Sequence, residues 1–140
     1  MKGNISIYMC YKENSVFLKE ENRDGYIVSA LMKKVWAVEL DLLSELDRVC
    51  KKYNIKYYAA FGTLLGAVRN KGFIPWDDDI DVCMLRDDYA KFKEVAKNEF
   101  GGKYYYQDWY NSCGRTWIFS KLRNSETTCL LYTSPSPRDA

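Results

Sequence analysis

Phe73-Ile74-Pro75-Trp76-Asp77-Asp78-Asp79-Ile80-Asp81-Val82 is the stretch on which the reading of the chain turns. Four carboxylates fall within five positions there, between apolar neighbours. Like charges this close repel, and Asp is a poor strand former. A divalent cation supplies a reason to gather them. In an extended segment successive side chains point to opposite faces. That predicts Asp77, Asp79 and Asp81 on one face, with Ile80, Val82 and Met84 on the other, in a core. Such a row of hard oxygen ligands suits Mg²⁺ or Mn²⁺ and, through the metal, a phosphate. Asp78 faces the other way in an ideal strand and is read as structural. A solvated acidic loop is the plain alternative. The apolar alternation through the carboxylates and the apolar approach Phe73–Trp76 argue against it. Trp76 is read as a strand anchor ahead of a stacking surface for a donor base.

Upstream, Ile55 to Phe61 is rich in β-branched and aromatic residues and predicts a buried strand. Gly62-Thr63 follows as a turn, then Leu64–Arg69 as a short helix. A strand, a Gly-Thr turn and a helix start put free backbone N–H groups beside a hydroxyl, which makes a seat for phosphate. Asn70-Lys71-Gly72 is a turn. Further upstream, Leu31, Val35, Val38, Leu42, Leu46, Val49 and Tyr53 recur at steps of three and four. They predict an amphipathic helix that ends at Asn54, with Glu39 among the residues of its polar face. Residues 1 to about 29 have no clean period and read as a short strand pair or an arm.

Downstream, Asp87 or Asp88 is the expected cap of a second helix with the stripe Tyr89, Phe92, Val95, Ala96 and Phe100, stopped by Gly101-Gly102. Tyr104–Trp109 and Thr116–Leu122 read as strands around the polar turn Asn111–Gly114. The element order implies a mixed α/β or α+β domain. Ser134–Ala140 has no periodicity and reads as disordered.

Composition narrows the function. The chain has 140 residues, 47% of them hydrophobic and 29% charged, which suits one soluble globular domain. The net charge of +2 is too small to indicate a nucleic-acid partner. Histidine is absent from the sequence, so Ser-His-Asp catalysis and His-ligated zinc are excluded within it. Five scattered cysteines without a C-x-x-C pair read as reduced residues of a cytoplasmic protein. No apolar run has the length of a membrane span, and no signal-peptide pattern opens the chain.

Together, Phe61-Gly62-Thr63-Leu64-Leu65-Gly66-Ala67-Val68-Arg69 and Gly72-Phe73-Ile74-Pro75-Trp76-Asp77-Asp78-Asp79-Ile80-Asp81 closely resemble the LicD family. That family includes bacterial phosphocholine transferases, with fukutin and the fukutin-related protein as animal relatives. The resemblance runs from about Val35 to Thr128 and takes in Arg86–Tyr89 and Lys121–Thr128. It implies a nucleotidyltransferase-like mixed sheet flanked by helices, C-terminally truncated, over 30–129. It also implies an Mg²⁺-dependent transfer of a phospho-alcohol, phosphocholine foremost, from a CDP-alcohol donor to a hydroxyl of a glycan or lipid-linked saccharide, such as lipopolysaccharide or teichoic acid, with release of CMP. Asp79 and Asp81 take the position of the paired metal carboxylates, with Asp77 as a third ligand or a base. Gly62 and Thr63 take the phosphate turn, and Arg69 or Lys71 adds charge. Lys121 and Arg123, two apart on one strand face, are expected to line the substrate site or to form an ordinary basic edge. Leu131–Ala140 is similar to translated sequencing-adapter read-through, so the native chain is expected to continue beyond about Cys129 and 130–140 to be a non-native tail. Other readings are a nucleotidyltransferase passing NMP from NTP to a sugar or small molecule, and an inactive fragment or non-catalytic cation- or glycan-binding module.

Overall fold

The computed structural model describes residues 16–108, 110 and 119–127. The expected tail, the turn at 111–114 and the start of the last expected strand at 116–118 lie outside them. The elements, in order, are β1 (Glu21–Arg23), β2 (Tyr26–Val28), α1 (Ala30–Lys52), β3 (Tyr58–Ala59), α2 (Phe61–Arg69), β4 (Val82–Cys83), α3 (Arg86–Glu99), β5 (Tyr104–Gln107) and β6 (Lys121–Asn124). The class is α+β. The described strands pair as three antiparallel two-stranded ladders, β1–β2, β3–β4 and β5–β6. No described helix is long and apolar enough to cross a membrane. The chain forms two compact units, Met1–Lys91 and Phe92–Ala140.

In the first unit, β1 and β2 form a hairpin closed by Asp24-Gly25, with φ of 54° and 85°. Two positive φ values make the turn whose twist matches the flanking strands, which is why Asp-Gly suits it. The Gly25 N–H donates to the Asn22 side chain at 2.9 Å. Of the two readings of this region, a short strand pair or an arm, residues 21–28 take the first. The hairpin packs on α1, where buried Lys33 pairs with Glu21 at 2.6 Å and the Arg23 guanidinium lies 5.0 Å from the Trp36 ring.

Ser29 caps α1, its hydroxyl accepting from the Met32 N–H at 3.2 Å. The other end closes as expected at Asn54. That residue takes φ 52°, its N–H donates to the Lys51 carbonyl at 3.3 Å, and the Ile55 N–H donates to the Cys50 carbonyl at 2.8 Å. This is a paired Schellman closure, with Ile55 tucked into the core. Leu42, Leu46 and Val49 are buried as the stripe predicts. Nearer the N-terminus the stripe fails: Leu31 is 67% exposed, while Lys33 and Trp36 are buried.

Two expected strands are much shorter than the sequence implies. The segment 55–61 contains only β3, because α2 already begins at Phe61, whose φ is 46°. Gly62 and Thr63 therefore sit in the first turn of a helix rather than in a preceding turn. The acidic segment contains only β4. The Asp77 N–H donates to the Ile74 carbonyl at 3.0 Å, a turn around Pro75-Trp76, and residues 77–81 carry no ladder. Proline in place of a donor and adjacent like charges account for the loss. From Asp79 onward the expected alternation survives: Asp79, Asp81 and Cys83 are exposed, while Ile80, Val82 and Met84 are half-buried.

In the second unit the stripe of α3 is buried at Phe92 and Ala96, and Phe100 follows. The helix starts at Arg86, with Asp87 and Asp88 in its first turn, where carboxylates favour the positive end of the dipole. Phe92, Phe100 and Tyr106 form an aromatic cluster with ring centroids 5.8–6.3 Å apart. β5 and β6 pair Tyr105 with Arg123 and Gln107 with Lys121. β6 thus runs past the expected end at Leu122 to Asn124.

Candidate functional site

The acidic segment is folded against α2 by backbone and hydroxyl bonds. The Ala60 N–H donates to the Asp81 carbonyl at 3.0 Å. In return the Asp81 N–H donates to the Thr63 hydroxyl at 2.8 Å. Thr63 is thus a brace for the carboxylates, and its own O–H proton remains available to donate. The amides of Phe61, Gly62 and Thr63 fall in the first turn, where a helix supplies no acceptor of its own.

Gly62 has a specific reason to be glycine. A Cβ there would stand 2.6 Å from Asp77 Oδ2. The close approach the motif provides is therefore that of a carboxylate onto the helix start. Gly66 plays the same part for the returning chain, since a Cβ would stand 2.5 Å from the Gly72 carbonyl oxygen.

Asp77, Asp78 and Asp79 bring one carboxylate oxygen each to within 4.8 Å of one another. Asp78 thus joins the cluster, contrary to its reading as structural. That reading assumed strand alternation at residues 77–79, which lie in no strand. Asp81 lies outside this group of three but is electrostatically linked to it through Asp79. Burial raises the Asp77 carboxyl above the usual carboxylate range, and the charge of Asp79 and a hydrogen bond with it add to the effect. Burial and then Asp79 raise Asp81 as well.

Glu39 on α1 is the participant the sequence did not disclose. It is half-buried. Burial, with the charges of Asp79 and Asp78 behind it, pushes its carboxyl up to about 7, while a hydrogen bond from the Ile80 backbone N–H pulls the other way. A glutamate on a helix normally reads as solvated. The available signal was its place between Val38 and Leu40, three residues after Trp36.

Trp36 is fully buried, and its indole N–H donates to the Asp77 carbonyl at 2.7 Å. Its ring stacks on Phe73 at 4.8 Å with planes 7° apart. Trp76, expected to anchor, is 60% exposed and meets Tyr26 edge-on at 5.6 Å. The anchoring tryptophan is Trp36.

Arg69 and Lys71 belong to the other end of α2 from Gly62, roughly 10 Å along a helix axis. Arg69 Nε donates to Asn70 Oδ1 at 3.0 Å, and Lys71 Nζ to the Val68 carbonyl at 3.2 Å. Neither is drawn to the carboxylates. Lys121 and Arg123 lie in the second unit on one face of β6, where Arg123 Nε donates to Gln107 Oε1 at 2.9 Å.

The donor set is entirely carboxylate oxygen, three side chains gathered within 4.8 Å of one another. That chemistry fits a hard divalent cation such as Mg²⁺ or Mn²⁺, which would relieve the repulsion. Asp77, Asp78 and Asp79 are the residues that would hold it, with Asp81 adjoining.

Fold and site together describe a carboxylate cluster set against a glycine-opened helix in an α+β frame. A family model described as the LicD/FKTN/FKRP nucleotidyltransferase domain matches residues 54–133. The chain belongs to this family. It is 54% identical over 56 residues to the lipopolysaccharide cholinephosphotransferase LicD of Haemophilus influenzae, covering 40% of this chain and 21% of that protein. It is 32% identical over 126 residues to an uncharacterized protein of Rickettsia prowazekii, covering 89% of this chain and 46% of that one. A second uncharacterized protein, from Rickettsia typhi, is 36% identical over 75 residues, with 52% and 24% covered. The chain thus spans less than half the length of each of these relatives. No solved structure matches it.

Proposed function

We propose that this chain carries the metal and donor part of a phosphotransferase that moves a phospho-alcohol, phosphocholine foremost, from a CDP-alcohol to a glycan hydroxyl and releases CMP. The observation that carries this reading is the convergence of Asp77, Asp78 and Asp79 against the first turn of α2. Similarity to the Haemophilus influenzae cholinephosphotransferase supports the cargo and a lipopolysaccharide-type acceptor.

Bound at Asp77–Asp79, Mg²⁺ would neutralise the donor diphosphate and favour departure of CMP. The first-turn amides of α2 and the free proton of Thr63 are placed to hold phosphate oxygens. The acceptor oxygen attacks the phosphorus bearing the alcohol, and the P–O bond to CMP breaks. The hydroxyl proton passes to a carboxylate, with Asp77, the least exposed of the three, as the candidate base. Asp81, braced by Thr63, continues the row as a further ligand. Arg69 and Lys71, held locally at the far end of α2, are candidates for long-range charge rather than for direct contact.

Because the family description is that of a nucleotidyltransferase domain, transfer of NMP from NTP is the second reading. Release of CMP or of pyrophosphate separates the two. The direct test is tryptophan fluorescence during titration with CDP-choline, with and without Mg²⁺, for wild type and Asp79→Asn. Trp36 and Trp76 both adjoin the segment. The expected result is Mg²⁺-dependent quenching, weakened at least ~10-fold in the variant. A cooperatively melting wild type that gives no Mg²⁺-dependent response to CDP-choline would sink this donor.

A further inference from the structure

The acidic segment has an unusual mechanical problem. Residues 77–80 lie in no strand, so a ladder does not fix their backbone, and their carboxylates repel. Backbone polar groups in such a segment need partners elsewhere. Two of them come from one face of α1. The Trp36 indole N–H donates to the carbonyl of Asp77 at 2.7 Å, and the Glu39 carboxylate accepts from the N–H of Ile80. Positions three apart on a helix are neighbours on its surface. The two bonds therefore grip both ends of the stretch whose carboxylates converge.

The grip is itself rigid. Trp36 is held between Phe73, stacked at 4.8 Å, and the Arg23 guanidinium at 5.0 Å. Arg23 in turn donates to the Phe73 carbonyl at 3.3 Å. On the opposite side, Ala60 and Thr63 hold Asp81. The segment is thus fixed from α1 and from the start of α2.

We infer that Trp36 and Glu39 are positioning residues that set the geometry of the Asp77–Asp78–Asp79 cluster from α1, with Glu39 acting as a hydrogen-bond acceptor for Ile80. The inference rests on the reading of the cluster as a divalent-cation site. Supporting partners of this kind typically govern ligand affinity by 10–100-fold.

The experiment measures Mn²⁺ binding by electron paramagnetic resonance and the Ile80 amide by ¹⁵N–¹H spectroscopy, on the whole chain. The variants are Glu39→Gln, Glu39→Leu, Trp36→Phe and the control Asp79→Asn. Gln keeps an oxygen that can accept from Ile80, whereas Leu does not. Phe keeps a ring to stack on Phe73 but loses the donor. Expected are wild-type Mn²⁺ affinity within about 3-fold for Glu39→Gln, and a loss of about 10-fold or more for Glu39→Leu and Trp36→Phe. The Ile80 amide should move and exchange faster only in Glu39→Leu. If Gln costs as much as Leu, Glu39 acts through its charge and the positioning role is overturned. Wild-type affinity in both Glu39→Leu and Trp36→Phe would overturn it too. If wild type and Asp79→Asn bind Mn²⁺ alike, the cation-site reading itself falls. The Ile80 amide then still reports whether Glu39 holds the segment.

Discussion

The two halves of α1 follow the same helical geometry and put it to different uses. From Leu42 to Lys52 the inward residues are Leu42, Leu46, Val49 and Cys50. The outer face carries the Glu45–Arg48 and Asp47–Lys51 pairs at 2.7 and 2.5 Å. That is a helix packing on a core. From Ala30 to Asp41 the inward residues include Lys33 and Trp36, and Glu39 accepts from the acidic segment. Leu31, the apolar residue that should lead the stripe, faces water. Apolar periodicity thus describes α1 only where packing is its whole task. Where a helix also holds a polar segment, its donors and acceptors turn inward.

The largest effect is expected from damage to the packing half. Leu46→Ala removes a buried side chain and leaves a cavity in the core. It should cost about 2–5 kcal/mol of unfolding free energy. Denaturant melts measure that loss. Mn²⁺ affinity of the remaining folded molecules should stay at the wild-type value. A fall in affinity as large as that of Trp36→Phe would show that the halves are not separable.

A smaller effect sharpens the contrast from the site side. In Gly62→Ala the new methyl must displace the Asp77 carboxylate, which lies 2.6 Å from where it would stand. Alanine is the better helix former by about 1 kcal/mol, which offsets part of the local strain. We expect the melting midpoint to move little while Mn²⁺ affinity falls about 10-fold, a loss typical of a disturbed ligand shell. Isothermal titration beside a thermal melt checks both. A large stability loss with unchanged affinity would make Gly62 a packing residue and nothing more.

How much of this was legible from the residues follows the same divide. α1, α3, the α+β class and the family were readable because they rest on apolar spacing and on an uncommon motif. The Asp24-Gly25 hairpin was readable in principle, as a positive-φ dipeptide between short extended segments. Asp78 was read as structural because strand alternation was applied from Asp77 onward, whereas residues 77–81 lie in no strand. The roles of Trp36 and Glu39 depend on contacts with Asp77 and Ile80, some forty residues away in sequence. No local pattern encodes such a pairing. At Gly62-Thr63, which the sequence suggested as a phosphate seat, the structure shows Gly62 making room for a carboxylate and Thr63 bracing a backbone amide, two contacts with the acidic segment that no local pattern announces.

The smallest effect concerns pH and lies in the packing half. Burial pushes the Cys50 thiol from 9.0 up to about 12, with the charges of Asp47 and Asp88 adding to it. The Tyr57 phenol is raised as well, by burial and by its 3.0 Å bond to Asp47. Below pH 9 both groups keep their protons in the folded and unfolded chain, and their contribution is fully present. Above pH 9 the unfolded chain releases the Cys50 proton while the folded chain keeps it. Stability must then fall as pH rises toward 12. By pH 10 the loss from Cys50 should be about 1.4 kcal/mol. Cys50→Ala should remove that part of the slope and leave the part due to Tyr57, which begins near pH 10. Urea melts at pH 8, 9 and 10 for both proteins measure it. Parallel slopes in the two would mean that the thiol is no more buried than the exposed Cys83. The packing half would then be as open to water as the segment it adjoins.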